Sequence, residues 1–409
     1  MERYQPTELQ PTSDRSQTRS EIQSKANSQI QKVNVGKQHI AGRLRKFYAN
    51  WKNITDDSFV LNAIAGYKIP FYKIPRQKYK NFKSYKTSIK EQELILGAVN
   101  SLIKKGAVTE CKSSKNQFLS PYFLVPKPDG SYRFILNLKR LNKFIHTSHF
   151  KLEDLKVATK LISKNSLLAS IDLQDAYLLI PVHKKHQKYL RFQINDKFYQ
   201  FTCIPFGLFT APYLFTKVMT NNKPIINHLR SMGLYSVIYL DDILCIADSY
   251  EKCVFNVKTT IYWLEHLGFI INKKKCNLIP SIKCKYLGFI LNSIKGTIEL
   301  TDKKKKNLIE LINTFLNKKH CKILELAKLI GKLVAACPAV EYAWLYTKRL
   351  EKVKVLALNS NSGNYKANMN IPRFLVSDLE WWKKVIPTSY KSFFQKTYVK
   401  EIYSDASDS

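Results

Sequence analysis

The chain has 409 residues, of which 45% are hydrophobic, and its 67 Lys and Arg against 31 Asp and Glu give a net charge of +36. This length exceeds one hydrophobic core, so we expect two or three domains. The excess positive charge favours a polyanionic partner, because each neutralised phosphate releases counterions. The lysines are spread along the chain and not set on one amphipathic helix, which argues against a membrane surface.

The first part of the chain carries no targeting pattern. Residues 1–35 are rich in Gln, Ser, Thr and Lys, which predicts disorder. Without a signal-peptide core or a run of 18 apolar residues, we expect an intracellular protein, in the cytoplasm or nucleus, with no membrane span. Eight cysteines without a Cys-x-x-Cys pair favour a reducing compartment over a disulfide framework. His183 and His186 lie in a Lys-rich turn and are predicted to be solvated.

Two elements are predicted before residue 150. Ile89–Lys105 has helical spacing and stops at Gly106. Residues 119–138 are typical of a hairpin that turns at Pro128-Asp129-Gly130.

Strands and helices alternate between residues 150 and 290. The predicted order is strand 166–172, helix from 174, strand 188–203, helix 209–221, hairpin 235–246, helix 251–267 and hairpin 276–291. This mixture, with an antiparallel hairpin inside it, indicates an α+β fold with a split βαβ core.

Two helices are predicted after residue 300. The first begins at Thr301-Asp302 and carries Lys303–Lys306 on its first turn, where positive charge is unfavourable to the helix dipole. A nearby phosphate backbone would explain these lysines, and a solvated lysine face is the alternative. The second helix runs from Ile323 towards Pro338, and residues 355–372 are predicted to be a loop.

An adjacent carboxylate pair stands out among the motifs. Asp241 and Asp242 lie between the apolar runs Tyr235–Leu240 and Ile243–Ala247, which predicts two short strands with the pair at the hairpin tip. Like charges in an apolar segment are costly, and a divalent cation removes that cost. The alternative is an ordinary turn, because Asp is a common turn residue.

Three further features bear on this choice. Asp172 ends an apolar run and is predicted to lie on a strand next to the pair, so that two carboxylates would bridge two metal ions. Asp172, or Asp175 in its place, is alternatively a helix cap. Tyr177 would lie under the sugar of a nucleotide or pack as a half-buried aromatic. Ile204–Leu208 breaks a strand and begins a helix, whose amides would face phosphates or simply form a turn.

The order of these segments resembles that of reverse transcriptases of retrotransposons. Leu124–Phe134, continued by Asn137–Asn142, resembles the fingers hairpin. Leu267–Phe269, with Asn272 and the lysines Lys273–Lys275, resembles the next palm motif, and Tyr286–Phe289 resembles the primer-grip hairpin. The flanking segments are most similar to DIRS-type elements, with gypsy-type elements next: Arg43-Leu44, Phe47, Trp51, Ile54, Gly66-Tyr67, Ile69-Pro70-Phe71, Ile330–Val334 and Pro338–Val340.

The resemblance covers about residues 40 to 409 and implies an α+β right-hand polymerase, with fingers, palm and thumb and a split βαβ palm. The implied segments are a disordered tail (1–40), an N-terminal extension leading into the fingers (41–118), fingers and palm (119–292), a helical thumb (293–350), a connecting segment (351–398) and the start of a ribonuclease H domain (399–409). Asp405 matches the first metal-binding carboxylate of that last domain, whose other acids are absent, so no ribonuclease H activity is expected.

The resemblance also implies a role for individual residues. Asp172, Asp241 and Asp242 would be catalytic and, with the Leu173 carbonyl, would hold two Mg²⁺ ions; Mn²⁺ also suits carboxylate oxygens. The implied nucleotide-binding residues are Lys127, Arg133, Tyr177, Phe206 and Lys275, and the implied primer-grip residues are Tyr286, Leu287 and Gly288.

The expected activity is therefore RNA-directed DNA synthesis, with dNTPs, a primer and an RNA or DNA template as partners. Two other hypotheses remain open at this point. One is a catalytically inactive nucleic-acid-binding remnant of a transposon. The other is an RNA-dependent RNA polymerase, which Tyr177 disfavours because ribonucleotides need room for the 2′-hydroxyl.

Overall fold

The structure is a computed structural model that describes residues 40–77, 88–127, 130–220 and 224–394. Its α-helices are α1 (Tyr48–Lys52), α2 (Ser58–Gly66), α3 (Ile89–Lys104), α4 (Lys139–Asn142), α5 (Leu155–Leu161), α6 (Lys184–Gln187), α7 (Ala211–Thr220), α8 (Pro224–Ser231), α9 (Tyr250–His266), α10 (Asp302–Leu316), α11 (Ile323–Val334), α12 (Leu345–Ser360) and α13 (Leu375–Val385). Short 3₁₀ turns cover Arg43–Phe47, Ala176–Leu179 and Cys337–Ala339.

The strands form several antiparallel sheets. They are β1 (Val108–Cys111), β2 (Tyr122–Pro126), β3 (Tyr132–Leu136), β4 (Leu167–Asp172), β5 (Arg191–Ile194), β6 (Lys197–Phe201), β7 (Tyr235–Tyr239), β8 (Asp242–Ala247), β9 (Asn277–Ser281), β10 (Lys283–Tyr286), β11 (Phe289–Asn292), β12 (Thr297–Leu300), β13 (His320–Lys322), β14 (Asn368–Asn370) and β15 (Tyr390–Ser392). The strand orders are β1-β6-β5, β2-β3, β7-β8-β4-β9, β10-β11-β12-β15 and β13-β14.

The central sheet has the predicted split βαβ arrangement. Strands β4 and β7 both run antiparallel to β8, which lies between them, so β4 and β7 are parallel to each other. The connection from β4 to β7 contains α6, the β5–β6 hairpin and then helices α7 and α8. Inserting β8 between the two parallel strands brings the β7–β8 turn beside the end of β4.

This sheet is buried on both faces. Ala169, Ile171 and Cys245 face one hydrophobic core, which also contains the N-terminal helices and the β1-β6-β5 sheet. Leu168 and Leu244 alternate with them and face a second core, which contains α10 to α13. Burial on both faces explains why the strands read as continuous apolar runs, and it gives the carboxylates at their ends a rigid support.

The N-terminal extension packs against the loop that follows α9. The indole N–H of Trp51, a residue with no exposed surface, donates to the Leu267 carbonyl at 2.9 Å. The Arg43 guanidinium donates to the Gly268 carbonyl at 3.0 Å. Two separate segments that carried the family resemblance are therefore in direct contact.

The structure confirms several predicted elements, with ends that differ by no more than a few residues. They are the helix Ile89–Lys105, the hairpins within 119–138 and 235–246, and the two helices after Thr301. The turn residues Pro128 and Asp129 and the carboxylate Asp405 lie outside the described residues.

Four predictions were wrong. The helix predicted from 174 is only the short 3₁₀ turn Ala176–Leu179. The strand predicted over 188–203 is the hairpin β5–β6, which turns at Asn195, a residue with φ +50°. The loop predicted from 355 is helical as far as Ser360, since Leu350 and Val353 bury one face of α12. His186 is not simply solvated, because its Nδ1 accepts the Ile69 N–H at 3.0 Å and its ring packs on Phe71.

None of the helices in the described residues combines the length and the apolar character needed to cross a membrane.

Candidate active site

The three predicted carboxylates meet at one edge of the central sheet. Asp172 is the last residue of β4 and lies opposite Asp242, the first residue of β8. Leu240 and Asp241 form the two-residue turn between β7 and β8, and the Leu173 N–H donates to the Asp241 carbonyl at 3.0 Å. Leu240 has φ +54°, which is uncommon for a large side chain and marks a strained turn.

The cations near these carboxylates do not offset their burial and mutual repulsion. Burial, followed by the charges of Asp241 and Asp172, raises the pKa of Asp242 to about 6. Asp241 lies at the exposed tip of the hairpin, but neighbouring protein atoms still exclude water from its carboxylate. This desolvation, followed by the charge of Asp172, also raises the pKa of Asp241. The Lys275 ammonium lies 3.8 Å from Asp172 Oδ2. This crowding of like charges disfavours the ionised forms until a cation is added.

One carboxylate oxygen has no hydrogen-bond partner among the described residues. Asp172 Oδ1 is buried, and no donor among the described residues reaches it. Burying a charged oxygen without a partner costs free energy unless a ligand binds to it. Hard divalent cations prefer oxygens of this kind as ligands. The described residues hold no group of three or more His, Cys, Asp or Glu side chains arranged to bind a metal alone. A metal ion here would therefore need further oxygens, from the main chain or from a substrate.

A cavity of about 760 Å³ opens beside the carboxylates. Its lining contains all five predicted nucleotide-binding residues, together with Leu173 and Asp241: Lys127, Arg133, Tyr177, Phe206 and Lys275. The structure thus brings residues from the β2–β3 hairpin, the central sheet and the loop after α9 to one space.

The aromatic residues of the cavity hold one another in place. The Tyr177 ring lies 5.5 Å from the Phe206 ring and 5.6 Å from the Phe215 ring, edge to face in both cases. The Arg133 guanidinium lies 4.9 Å from the centre of the Phe206 ring. Cation–π contact of this kind fixes the arginine head over the cavity. The Lys127 ammonium donates to Ser131 Oγ at 3.0 Å.

The turn after β6 is tied to the α4 segment. The Asn142 side chain donates to the Gly207 carbonyl at 3.0 Å and accepts the Phe209 N–H at 3.1 Å. Gly207 has φ +94°, and a Cβ there would lie 3.0 Å from the Leu136 carbonyl oxygen. Sequence reasoning had placed Asn142 in a motif without assigning it this contact.

The three predicted primer-grip residues lie on the β10–β11 turn, and none of them lines the cavity. Leu287 and Gly288 have φ +48° and +75°, the angles of a tight hairpin turn. Tyr286 is buried, and its hydroxyl donates to the Val237 carbonyl at 3.4 Å. The Lys304 ammonium, from the first turn of α10, lies 4.0 Å from the Phe289 ring centre.

Among the described residues, sequence reasoning assigned no substrate-binding role to three charged residues of the cavity wall, which are Lys105, Asp175 and Lys274. Asp175 occupies the position before the Ala176–Leu179 turn, but neither it nor Asp172 caps that turn through its side chain. No local signal identifies Lys105, since its partner Asp175 lies 70 residues away.

Both the sequence and the fold of this chain are similar to those of known proteins. Residues 125–291 match the family model for reverse transcriptase (RNA-dependent DNA polymerase). The chain is 28% identical over 191 residues to the transposon Tf2-3 polyprotein, and 27% identical over the same length to the Tf2-7 polyprotein, both from Schizosaccharomyces pombe. These matches cover 47% of this chain and only 14% of the length of each relative.

Two solved structures of a foamy viral protease-reverse transcriptase are similar in fold. The complex with double-stranded DNA has a TM-score of 0.60 at 20% identity, covering 94% of this chain and 74% of that one. The complex with an RNA/DNA hybrid has a TM-score of 0.59 at 18% identity, covering 85% and 46%. The chain therefore has the right-hand polymerase fold, and its residues 125–291 are similar in sequence to reverse transcriptases, including those of the Tf2 retrotransposon polyproteins.

Proposed function

We propose that this chain is an RNA-directed DNA polymerase of a retrotransposon, which joins dNTPs to the 3′-hydroxyl of a primer on an RNA or DNA template. The observation that carries the proposal is the set of three carboxylates at one sheet edge, beside a cavity lined by basic and aromatic side chains. Acids alone would repel a triphosphate, and basic residues alone would bind it without activating a hydroxyl.

The proposed metal ligands are the side chains of Asp172 and Asp241 and the Leu173 carbonyl, with Asp242 as a weaker or indirect ligand. The partnerless Asp172 Oδ1 and the raised pKa values of Asp241 and Asp242 support this set. Two bound Mg²⁺ ions would lower the pKa of the primer hydroxyl and stabilise the leaving pyrophosphate. Mn²⁺ has the same preference for oxygen ligands.

The proposed substrate contacts follow from the cavity wall. Lys127, Arg133 and Lys275 are cations that would bind the triphosphate, and Arg is suited to bidentate phosphate contact. Tyr177 and Phe206 would lie against the sugar, where the tyrosine ring leaves no room for a 2′-hydroxyl. The β10–β11 turn, with Tyr286, Leu287 and Gly288, would hold the primer strand.

The element type, the segment boundaries and the cellular compartment are also proposals. The flanking motifs support a DIRS-type element, whereas the curated relatives are Tf2 polyproteins. We propose fingers and palm within 119–292 and a thumb within 293–350, followed by a connecting segment. We also propose an intracellular location for this polymerase.

The test is primer extension on an RNA template with dNTPs and Mg²⁺, with wild type beside Asp241→Asn. We expect extension by wild type only, while salt-sensitive binding of the template–primer duplex is kept by both proteins. The matched control is Asp248→Asn, the same substitution just past the other end of β8, where the carboxylate is 71% exposed and pairs with Lys252. It should extend like wild type. Extension by Asp241→Asn would refute the metal-site assignment, and duplex binding without extension by wild type would favour an inactive remnant.

A further inference from the structure

Lys105 and Asp175 form an ion pair on the wall of the nucleotide cavity. The distance from the Lys105 ammonium to Asp175 Oδ2 is 2.7 Å, and the two side chains are 32% and 19% exposed. Both residues line the cavity that also contains Lys127, Arg133 and Asp241. The pair is therefore partly withdrawn from solvent and faces the space in which a triphosphate would bind.

Asp175 is held in an unusual conformation close to the catalytic carboxylates. It lies three residues after Asp172 and has φ +51° and ψ +35°, the left-handed region that non-glycine residues rarely adopt. Its side chain makes no capping bond to the turn that follows. The carboxylate instead contacts Lys105 and, at 3.5 Å, the Gln174 amide. An aspartate in this place is not explained by capping.

Lys105 reaches Asp175 from a fixed position. It directly follows α3 as the C-cap residue, and its N–H donates to the Ser101 carbonyl at 3.2 Å. Its own carbonyl accepts the N–H groups of Ile40 at 3.1 Å and Ala41 at 3.0 Å. The N-terminal extension and α3 thus fix the backbone from which the ammonium extends.

The charge balance of the cavity gives the pair a role. Among the described charged residues of the wall, Asp175 and Asp241 are carboxylates, and the other five are Lys or Arg. Asp241 belongs to the proposed metal ligands, whereas Asp175 has Lys105 as its cationic partner. A carboxylate without its cationic partner here would face a polyanionic substrate and repel it.

We propose that Lys105 neutralises Asp175, so that the cavity accepts the triphosphate of the incoming nucleotide, and that the pair positions the Leu173–Tyr177 segment. Both are positioning residues in this view. The inference rests on the proposed polymerase function, because that function supplies the nucleotide. It makes a prediction that a purely structural ion pair does not make: removing the lysine alone weakens binding of the triphosphate, and removing both charges restores that binding.

The experiment is single-nucleotide insertion with titrated dNTP, on wild type, Lys105→Met, Asp175→Asn and the double variant. For Lys105→Met we expect the KM for dNTP to rise about tenfold, the size of effect that one neighbouring charge commonly has on an ionic equilibrium. Its kcat should stay within about twofold, because the chemical step is not touched. The double variant should return to within about threefold of the wild-type KM, and Asp175→Asn alone should not raise KM above that range.

Two controls separate charge from packing. Lys105→Arg keeps the charge and should have a wild-type KM. Lys197→Met removes the lysine of an exposed pair with Glu110, whose side chains are 63% and 55% exposed, and should change nothing. If Lys105→Met does not fold, Lys105→Gln takes its place with the same expectation.

A second readout does not depend on activity. Binding of inorganic tripolyphosphate, measured by calorimetry, should weaken about tenfold in Lys105→Met and recover in the double variant. If the variants show this order of tripolyphosphate affinity but the wild type extends no primer, the polymerase function is refuted and the ion-pair inference is supported. A double variant as defective as Lys105→Met, or a Lys105→Met whose defect lies in kcat alone, would overturn the inference.

Discussion

Tyr177→Ala should relax the discrimination between deoxyribonucleotides and ribonucleotides. The ring lines the cavity and is held edge to face by Phe206 and Phe215, so it cannot move aside for an extra hydroxyl. A closely fitting pocket wall discriminates between two substrates that differ by one small group by about 1–3 kcal/mol of activation free energy. This corresponds to a ratio of roughly 10–200-fold in kcat/KM. We therefore expect the ratio of dNTP to NTP use to fall by about that factor, mainly through better use of NTPs.

The assay is competition between a dNTP and the matching NTP at one template position, and two control variants make it specific. Burial raises the pKa of Tyr177 to about 12, so its hydroxyl is neutral at physiological pH and Tyr177→Phe removes no charge. Tyr177→Phe should keep wild-type selectivity. Tyr213→Ala truncates an aromatic residue of α7 that contacts Phe59 and does not line the cavity, and it should also keep selectivity.

The truncation also has a structural cost, which the assay must account for. Removing a buried aromatic side chain costs about 3–5 kcal/mol, and a half-buried ring such as Tyr177 should cost about 2 kcal/mol. Chemical denaturation of each variant measures this loss. If Tyr177→Ala is folded and extends with dNTPs but uses NTPs no better than wild type, the ring does not exclude the 2′-hydroxyl and the reasoning is wrong.

Three further predictions concern stability. Gly288→Ala should lower the free energy of unfolding by about 1–2 kcal/mol, because φ is +75° there; an unchanged denaturation midpoint would contradict this. Arg349→Met should cost about 3 kcal/mol by leaving Asp378, which is 1% exposed, buried without its cation, and Arg349→Met/Asp378→Leu should recover most of that loss. Burial lowers the pKa of His186 below 6.5, so this imidazole binds a proton more readily in the unfolded chain than in the folded one. The free energy of unfolding should therefore fall as the pH drops below 6.5, and it should fall less in His186→Gln. Urea denaturation at pH 7.5 and 5.5 measures the difference.

The placement of the carboxylates was predictable because the signals are local. Asp172 and the pair Asp241–Asp242 each adjoin a short apolar run, and such runs are strands buried on both faces of the central sheet. Their meeting at one edge follows once those strands pair in the order β7-β8-β4. The hairpin β5–β6 was missed although Asn195-Asp196 is a turn signal, since the apolar residues continue on both sides of it. Tertiary packing of Val353 likewise extends α12 over residues whose composition suggests a loop.

Contacts between distant segments were not predictable in the same way. Lys105 and Asp175 belong to different elements, and nothing near either residue indicates the other. The Asn142 contacts to the turn at Gly207 have the same character. Periodicity and turn chemistry describe neighbours along the chain, whereas these pairs depend on how completed elements dock.

The two acid-bearing loops share a further property that only the structure reveals. Leu240, before Asp241, and Asp175, three residues after Asp172, both have positive φ without being glycine. Each such residue costs about 1–3 kcal/mol and persists only where the surroundings enforce it. Here the enforcement is visible: the Leu173 N–H holds the Asp241 carbonyl, and Lys105 holds Asp175. Glycine at either position would relieve the strain but would also free the loop. These two contacts therefore offset the conformational cost and hold both loops against the same cavity. It is there that the carboxylates and the triphosphate must be placed precisely.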